Sequence, residues 1–562
     1  MIAVVNLKIL ELSANQQQLV KNMPVSQRSF TCLQCRLQGI ARPPRRLYHA
    51  SPRLRADAPR PSIAPKVTID IKHIRQNAAL YEQNCLERNY KVQATYPARI
   101  NSLFDEWHIY QREARTLRER NNRLKLQLAN PTTLRNEDSE EARELKGMTK
   151  EQLIEEARVL KEKISAIGAK ESALTSEIDS LAASIPNLTS DETPRGDVPK
   201  VLGYINDHPE PDPSASDRVW RSHVHIGSEL NLFDFAGAAT TSGWGWYFLL
   251  NEAAQLEQAL VQYALSIARK RGWGIASPPS MVYSHIAAAC GFQPRDQNGE
   301  SQIYNIQQSA SDVGRKPELS LAGTAEIPLA GMKANTTLEE ADLPMKRVGV
   351  SRCYRAEAGA RGVDTKGLYR VHEFTKVEMF AWTLPSTPAS TEVFNEMLSI
   401  QTEILQSLGL HCRILEMPST DLGASATRKC DIEAFIPSRR PKDDGWGEVT
   451  SVSTCTDYQS RRLATRVDMR SQGGKTVFPY TVNGTAMAVP RVLAAILENG
   501  WDERRTEVRI PEVLWPWMDG AKVIGPKERL RMFLFTSQNI SALLFTFVKL
   551  KALKLREARK IK

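Results

Sequence analysis

Apolar residues repeat at alternating spacings of three and four in two stretches between residues 100 and 185. The first series is Ile100, Leu103, Trp107, Tyr110, Ala114, Leu117, Asn121, Leu124 and Leu128, and the second is Leu153, Ala157, Leu160, Ile164, Ile167, Glu171, Leu174, Ile178, Leu181 and Ile185. Each spans about four heptads, which is typical of a coiled-coil seam. The polar linker between the series contains Pro131. The pattern predicts an antiparallel helical hairpin over about 98–185, with arms of roughly 45–50 Å.

The remaining chain divides into regions with different patterns. Short apolar runs, helical periodicity and turns rich in Gly and Pro predict a mixed α and β domain after the hairpin. We therefore expect four regions, namely a leader at 1–64, a helical arm region at 65–200, a mixed domain at 201–526 and an apolar, basic extension at 527–562. The most apolar run, at 532–550, is interrupted by polar residues such as Gln538 and Asn539, so we expect no stable membrane insertion.

The chain has a net charge of +11 over 562 residues, and its N-terminal segment is strongly basic. The first sixty residues hold ten Lys or Arg but only two acids, Glu11 and Asp57. This composition is typical of a presequence that directs import into the mitochondrial matrix. A disordered basic arm is the alternative interpretation.

The eight cysteines do not form the pattern of a metal site. Only Cys32 and Cys35 have the spacing of a CxxC pair, and no second pair or nearby histidine completes a zinc site. We expect the other six to be reduced and mostly buried thiols.

The first helix of the predicted hairpin has a basic surface. Its arginines include Arg112, Arg115, Arg118 and Arg123, against only two glutamates in the same stretch. A stripe of this kind is able to follow a phosphate backbone. The alternative is that these charges simply solvate the coiled coil.

Arginine and acidic residues cluster in the segment RCYRAEAGARGVDTKGLYRVHEFTKVE at 352–378. Arg355 lies next to Glu357, and a guanidinium binds phosphate or carboxylate through two parallel hydrogen bonds, which lysine cannot do. Phe374, on the adjoining predicted strand, has a flat face on which a base can stack. The segment therefore indicates a site for an anionic, base-containing ligand.

Three further segments accompany this one, and two of them suit phosphate groups. GTAEIPLAG occupies 323–331, and GEVTSVSTCTDYQSRR at 447–462 places an acid before hydroxyl residues, as a Mg²⁺ ion carrying phosphates requires. NGTAMAVPRVLAAILEN at 483–499 places Arg491 near the start of an apolar helix, where backbone N–H groups favour anions. None of the segments matches a P-loop, a GxGxxG fingerprint or a zincin motif, so each is a weak signal by itself.

Together, in this order, the segments resemble the seryl-tRNA synthetase family. TAE at 324–326 resembles the family's serine-binding loop, and the segment 352–378 resembles class II motif 2. EVTS at 448–451 resembles the ATP and metal segment, and 483–499 resembles motif 3. A helix at 250–270 followed by Pro279 resembles motif 1, which forms the dimer. The hairpin resembles the family's tRNA-binding arm. The resemblance covers about 65–526 and implies an α+β fold, in which helices flank the antiparallel sheet of a class II core behind an N-terminal coiled-coil arm.

The resemblance implies a serine–tRNA ligase that forms seryl-adenylate from ATP and L-serine and transfers the seryl group to the 3′ end of tRNA(Ser) for mitochondrial translation. It also implies a homodimer through the catalytic domain, with the whole ATP and serine site inside that domain. The catalytic residues that it implies are Arg355, Glu357, Glu448 and Arg491. The serine-binding residues are Thr324, Ala325, Glu326, Arg355, Glu378 and Thr485.

The ATP-binding residues that the resemblance implies are Arg355, Ala356, Glu357, Phe374, Glu448, Val449, Thr450, Ser451 and Arg491. Mg²⁺ would be held by Glu448 and Ser451. Arg355 would hold the α-phosphate and the serine carboxylate, and Arg491 would hold the γ-phosphate. Glu357 would reach the edge of the adenine and Phe374 its face. The tRNA contacts would be made by Arg112, Arg115, Arg118 and Arg123.

Four positions depart from the family's usual pattern. Gly245 and Trp246 stand where an arginine and an aromatic are common, which leaves the local dimer contact open. Thr485 stands where serine is common, and Pro490 replaces a glycine at a first helical turn, where proline is accepted. A catalytically inactive paralogue that binds RNA or regulates is the alternative function, and retention of all four catalytic residues argues against it.

Overall fold

The computed structural model describes residues 64–130, 140–207, 221–292, 302–357 and 367–526. The predicted leader, apart from its last residue, and the predicted extension at 527–562 lie outside these residues. The six cysteines within the described ranges are buried free thiols, as predicted. No helix among the described residues is long and apolar enough to cross a membrane.

Fourteen helices lie within the described ranges. They are α1 (Ile71–Gln76), α2 (Ala78–Glu87), α3 (Tyr96–Ala129), α4 (Glu140–Gly147), α5 (Lys150–Ser184), α6 (His223–Glu229), α7 (Phe235–Thr241), α8 (Asn251–Lys270), α9 (Ser284–Ala289), α10 (Glu326–Gly331), α11 (Thr387–Ser407), α12 (Arg440–Asp443), α13 (Tyr458–Leu463) and α14 (Val489–Gly500). Short 3₁₀ helices occupy Gln93–Thr95, Glu340–Asp342, Ser419–Asp421, Pro437–Arg439, Arg470–Gln472 and Glu512–Trp517.

The same ranges contain nineteen strands. They are β1 (Lys200–Ile205), β2 (Phe233–Asp234), β3 (Phe248–Leu249), β4 (Gly274–Ala276), β5 (Met281–Tyr283), β6 (Asn305–Ile306), β7 (Leu319–Leu321), β8 (Thr337–Glu339), β9 (Met345–Tyr354), β10 (Glu373–Thr383), β11 (Cys412–Glu416), β12 (Arg428–Phe435), β13 (Trp446–Thr456), β14 (Arg466–Met469), β15 (Lys475–Val477), β16 (Tyr480–Ala488), β17 (Trp501–Asp502), β18 (Glu507–Arg509) and β19 (Val523–Ile524).

Helices α3 and α5 form the antiparallel hairpin that the heptads predict. Arg99 near the start of α3 pairs with Glu177 near the end of α5 at 3.0 Å, whereas Arg120, farther along α3, pairs with Glu156 near the start of α5 at 2.5 Å. Every member of both apolar series is buried or half-buried. The seam therefore forms as the three-and-four spacing requires.

Local signals fix the ends of the two long helices. Pro97 occupies the first turn of α3, where its missing N–H costs nothing. Thr149 and Gln152 form a capping box at the start of α5, which satisfies two backbone donors. Near the far end of the hairpin, Leu145 of α4 packs with Leu124 and with leucines of α5 in a small separate core.

The predicted catalytic region is built on an eight-stranded sheet with the order β1-β11-β12-β13-β16-β10-β9-β4. All neighbouring strands run antiparallel except β4 and β9. The predicted α+β class, with an antiparallel core behind a helical arm, is therefore confirmed.

Two cores occupy the two faces of this sheet. Helices α8, α11 and α14 cover one face, where Val377 and Met379 of β10 are fully buried. Side chains alternate along a strand, so Phe380 and Trp382 point to the opposite face and pack in a second core with residues of α9, α10 and α13. Burying each such side chain contributes about 1.5–3 kcal/mol. The candidate site lies on this second face.

We expect Leu124→Ala to loosen the far end of the hairpin without affecting the sheet. Leu124 is fully buried in a core separate from the two sheet cores, and removing such a side chain typically costs about 2–5 kcal/mol. Amide hydrogen exchange should rise in α4 and in the adjoining ends of α3 and α5. The matched control is Ile109→Ala, because Ile109 lies on the same helix with 62% of its surface exposed. An equal rise of exchange in β10 and β16 would contradict this picture.

Candidate active site

A cleft of about 580 Å³ opens on the second face of the sheet, at β10, β13 and β16. Its charged and polar lining includes Thr324, Glu326, Arg355, Glu357, Arg370, Lys376, Glu378, Lys429, Glu448, Ser451, Ser453, Asn483 and Thr485. Four separate segments of the chain therefore converge here, and most of the residues predicted for the site are among them.

The pairing of β10 with β16 creates a buried polar triad. A bulge after Val377 places Glu378 directly opposite Thr485, so both side chains point to the cleft. Thr485 Oγ1 donates to Glu378 Oε2 at 3.1 Å. Lys376 Nζ lies 2.6 Å from the same carboxylate oxygen and 3.4 Å from the Thr485 hydroxyl. Carboxylate, ammonium and hydroxyl thus share one buried corner that suits a small polar ligand.

Glu326 is the first residue of α10 and faces the same cleft. Its Oε1 accepts hydrogen bonds from Gln459 Nε2 at 2.6 Å and from Asn483 Nδ2 at 2.9 Å. Burial, followed by the neighbouring Glu378 carboxylate, raises the pKa of Glu326 to about 7. A cationic amine bound beside Glu326 would lower this pKa again, because it stabilises the charged carboxylate.

Glu448 and Ser451 share a wall of the cleft because β13 is irregular. Residues three apart in a regular strand point to opposite faces. The pairing shifts by one residue between Ile432 and Glu433 on β12, so that Val449 is the extra residue and both side chains reach the cleft. One carboxylate and one hydroxyl, completed by phosphate oxygens and water, match the ligands that Mg²⁺ prefers. The two residues therefore fit the ion that the sequence predicts.

An ion pair keeps Glu448 charged. Arg491 NH1 lies 3.0 Å from Glu448 Oε2 and donates to the Glu448 carbonyl at 3.0 Å. Burial opposes the charge on the carboxylate, but Arg491, Lys429 and Arg355 outweigh it and hold the pKa of Glu448 well below its usual range. This corner of the site is therefore ionised at neutral pH and rich in cations.

Arg355 and Phe374 form the predicted pair of cation and aromatic ring. The guanidinium carbon of Arg355 lies 5.2 Å from the centroid of the Phe374 ring. The backbone of Arg355 is fixed by the imidazole Nδ1 of His372, which lies 3.0 Å from the Arg355 carbonyl oxygen. Glu357 Oε2 accepts a hydrogen bond from Arg370 Nε at 2.5 Å.

The unusual Gly245–Trp246 pair lies beside this segment. The Gly245 carbonyl accepts a hydrogen bond from His372 N at 3.1 Å, and the Trp246 ring stacks on the His372 ring with centroids 5.9 Å apart. Gly245 has a φ of +84°, and a Cβ there would approach His372 to 2.6 Å, so glycine is required. Gly245 and Trp246, which depart from the family pattern, therefore hold His372, the residue that fixes the backbone of Arg355.

Six predicted residues are not among those that line the cleft. Arg491 contacts the lining residue Glu448, and Phe374 lies beside the lining residue Arg355. The other four are held elsewhere. Val449 and Ala325 are buried in the first and second sheet cores. Thr450 is buried with its hydroxyl on a backbone carbonyl, and Ala356 donates its N–H to the chain at residue 302. Their roles in ligand binding stay predictions.

Several residues of the cleft were missed in the sequence. Lys376 alternates with Glu378 on one strand, and this period of two was a usable signal. Lys429 lies 2.7 Å from Asp431 and 3.3 Å from Asp421, in a segment that no motif marked. Tyr90 comes from the turn after α2. A residue of the predicted arm region therefore also lines the cleft, and the expectation that the catalytic domain alone forms the ATP and serine site stays a prediction.

The predicted tRNA contacts on α3 differ in their surroundings. Arg112 and Arg115 are exposed, and Arg115 pairs with Glu119 on its own helix at 3.0 Å. Arg118 is drawn toward the hairpin seam by Glu171 at 3.2 Å. Arg123 is half-buried. The exposed part of the stripe is thus Arg112, Arg115 and Arg118, of which Arg118 is paired with an acid of the other helix.

Two family models match this chain. The model described as the seryl-tRNA synthetase N-terminal domain matches residues 68–189, which include the hairpin. The model described as the tRNA synthetase class II core domain (G, H, P, S and T) matches residues 309–500, which include most of the cleft.

Similar proteins agree with both models. The mitochondrial serine–tRNA ligase of Saccharomyces cerevisiae is 44% identical over 369 residues, which are 65% of this chain and 78% of that protein. The mitochondrial serine–tRNA ligase of Schizosaccharomyces pombe is 39% identical over 451 residues, 80% of this chain and 88% of that one. A solved seryl-tRNA synthetase from Pyrococcus horikoshii, complexed with ATP, has a TM-score of 0.69 and 30% identity, covering 82% of this chain and 100% of that one.

These matches confirm the predicted family and enzyme class, and nothing in them favours the inactive paralogue. The chain therefore belongs to the seryl-tRNA synthetase family, the serine–tRNA ligases of aminoacyl-tRNA synthetase class II.

Proposed function

We propose that this chain activates L-serine with ATP and transfers the seryl group to tRNA(Ser) in the mitochondrial matrix. The observation that carries the proposal is a single cleft with two different sides. One side is cationic and contains Arg355 and Arg491, which is paired with Glu448. The other is a buried polar corner at Glu378 and Thr485. A nucleotide triphosphate needs the first side, and a small hydroxyl amino acid needs the second.

The cationic side binds ATP. Phe374 stacks against the adenine, Glu357 accepts from its amino group, Arg355 binds the α-phosphate and Arg491 the γ-phosphate. The 5.2 Å distance between the Arg355 guanidinium and the Phe374 ring supports this arrangement, because it sets base and phosphate positions side by side. The ATP bound to the Pyrococcus horikoshii relative supports it as well. Mg²⁺ held by Glu448 and Ser451 would neutralise phosphate charge when bound.

The polar corner binds serine. Glu326 binds the ammonium group of serine. Its pKa is raised because the carboxylate is buried, and a bound ammonium group would stabilise its charged form. Glu378 and Thr485 bind the serine hydroxyl, with Lys376 balancing the charge of Glu378. Alanine would leave these buried groups unpaired and is rejected strongly, whereas threonine is excluded only by its extra methyl group.

Both chemical steps depend on position and charge more than on acid–base groups. A serine carboxylate oxygen attacks the α-phosphorus, the new C–O–P bond forms, and the bond to pyrophosphate breaks. Arg355 touches the α-phosphate and stabilises the charge that develops on it. The terminal ribose hydroxyl of the tRNA then attacks the seryl carbonyl, forms an ester and releases AMP.

The hairpin binds the tRNA. It protrudes from the catalytic region, and its match to the seryl-tRNA synthetase N-terminal domain supports this role. The exposed arginines Arg112 and Arg115 are placed to contact phosphates, with Arg118 and Arg123 nearby. Dimerisation takes place at the edge of the sheet next to α8, where β4 pairs with β9 alone among the described strands and Ile275 is 53% exposed.

The mitochondrial assignment rests on two observations. The relatives from Saccharomyces cerevisiae and Schizosaccharomyces pombe are both named mitochondrial. The first sixty residues have the strongly basic composition of a presequence. The matrix is where such a presequence leads a protein that takes part in translation.

We expect Arg355→Ala to abolish most adenylate formation. Losing a preorganised contact to the developing charge typically lowers the rate about 10²–10³-fold, so serine-dependent exchange of pyrophosphate into ATP should fall by that factor in kcat. Arg352→Ala is the matched control, since Arg352 lies three residues earlier, near the end of β9, and faces Glu257 and Glu373 at 3.8 and 3.7 Å. A fall of less than about tenfold in Arg355→Ala would remove this residue from the α-phosphate.

We expect reversing two of the exposed arginines, Arg112→Glu with Arg115→Glu, to impair tRNA charging while pyrophosphate exchange stays normal. Each lost phosphate contact should lower the salt dependence of tRNA binding by about 0.7–0.9 in log–log slope. The control reverses Lys161 and Lys163, which are exposed on α5 and change the charge of the hairpin equally. Equal losses in both double variants would show that general charge, and not the α3 stripe, attracts the tRNA.

A further inference from the structure

One wall of the cleft is a loop that none of the family motifs contains. The cleft loop, residues 419–427, follows β11 and begins with the 3₁₀ helix Ser419–Asp421. Its cleft-lining residues are Asp421, Gly423, Ala424, Ser425 and Ala426. Its backbone has few bonds to the strands beside it, of which the Thr427 N–H to the Thr454 carbonyl, at 2.8 Å, is one.

The loop is instead held by the base of the hairpin. We define the arm root as residues 84–90, which precede α3, and 185–193, which follow α5. The hydrogen bonds that join it to the loop are Ser419 Oγ to Glu87 O (3.0 Å), Asn187 N to Ala424 O (2.9 Å), Asn187 Nδ2 to Ser425 O (2.9 Å) and Ser190 N to Thr427 O (2.9 Å). These bonds run the length of the loop.

Arg88 adds a buried clamp to the same junction. Only 1% of its surface is exposed, and its guanidinium donates to the carbonyl of Gly423 in the loop and to that of Asn187 in the root. Burying a guanidinium is costly unless its donors are used. The planar fork can bind two carbonyls in fixed directions, which a lysine ammonium does not reproduce.

A chain of contacts leads from the root to the serine pocket. Asn187 Nδ2 donates to the carbonyls of both Ser425 and Cys455 at 2.9 Å. Asn483 Nδ2 lies 3.4 Å from Cys455 Sγ and donates to Glu326 at 2.9 Å. Displacing the root would therefore move the partners of Glu326 before it moves the nucleotide side.

We propose that Arg88 and Asn187 are positioning residues for serine binding: the arm root holds the cleft loop in place, so the tRNA-binding region sets the shape of the amino-acid pocket. The inference rests on the proposed function of the cleft. The arm region then has two roles and does not serve the tRNA alone. The exposed hairpin binds tRNA, and the arm root shapes the serine site.

The test compares two buried arginines that both join the arm root or α5 to the catalytic region. Arg462 is 6% exposed and donates to the carbonyls of Tyr458 and Ala183 at 3.1 Å, so neither of these bonds goes to the cleft loop. Arg88→Lys and Arg462→Lys therefore remove similar interdomain bonds. Each variant of the full chain is assayed by pyrophosphate exchange over ranges of serine and ATP, and its Tm is measured.

We expect Arg88→Lys to raise the KM for serine about tenfold, the usual effect of losing one charge-assisted hydrogen bond, and to leave the KM for ATP within about threefold. Arg462→Lys should lower Tm similarly and leave both KM values within about threefold. Equal KM changes in the two variants, or an unchanged serine KM in folded Arg88→Lys, would overturn the proposal.

A milder variant keeps the test decisive if Arg88→Lys does not fold. Ser419→Ala removes only the hydroxyl bond to Glu87, and we expect a rise of about threefold in serine KM, with faster amide exchange in residues 419–427. Unchanged serine KM and unchanged exchange in the loop would refute the clamp. Absence of serine-dependent pyrophosphate exchange in the unmodified chain would instead refute the proposed function. The two failures can be told apart, because amide exchange in the loop tests the clamp without any enzymatic activity.

Discussion

Strand β16 pairs with both β10 and β13, and its register decides which side chains share the cleft. Glu378 meets Thr485 on one side, and Ser453 meets Asn483 on the other. A slip of one residue would turn Asn483 and Thr485 away from the cleft and into the opposite core. The apolar residues on either side of them, Val482 and Ala486, lie in the first core and resist that slip. Packing on one face thus fixes chemistry on the other.

Charge in the cleft is organised as opposed pairs. Lys376 faces Glu378, Arg491 faces Glu448, and Lys429 lies between Asp421 and Asp431. Buried ions of this kind contribute little net stability, because desolvation offsets their attraction. Their value is positional, since groups that already hold one partner are oriented for a charged ligand before it arrives. Glu326 differs, because amides rather than a cation hold it, and burial followed by the nearby Glu378 carboxylate raises its pKa to about 7.

The hairpin could be predicted from the sequence because its signal is local: side chains three and four residues apart meet on one helix face, and each series buries its own seam. The residues of the cleft carried no such local signal, and their assignment came from the resemblance of whole segments to a family. Two features escaped both routes. The bulge at Val449 depends on how β12 and β13 pair, and Arg88 reaches a loop more than three hundred residues away. Such long-range contacts leave no period in the sequence.

The most direct test of the account is the choice of amino acid in pyrophosphate exchange by the unmodified chain. The buried corner of Glu378, Thr485 and Lys376 is built around a hydroxyl, so exchange should require serine, and kcat/KM for alanine should be lower by roughly 10⁴-fold. Threonine should be rejected less strongly, by its size alone. Comparable exchange with alanine and serine, or exchange that needs neither, would contradict the assignment of this cleft to serine activation.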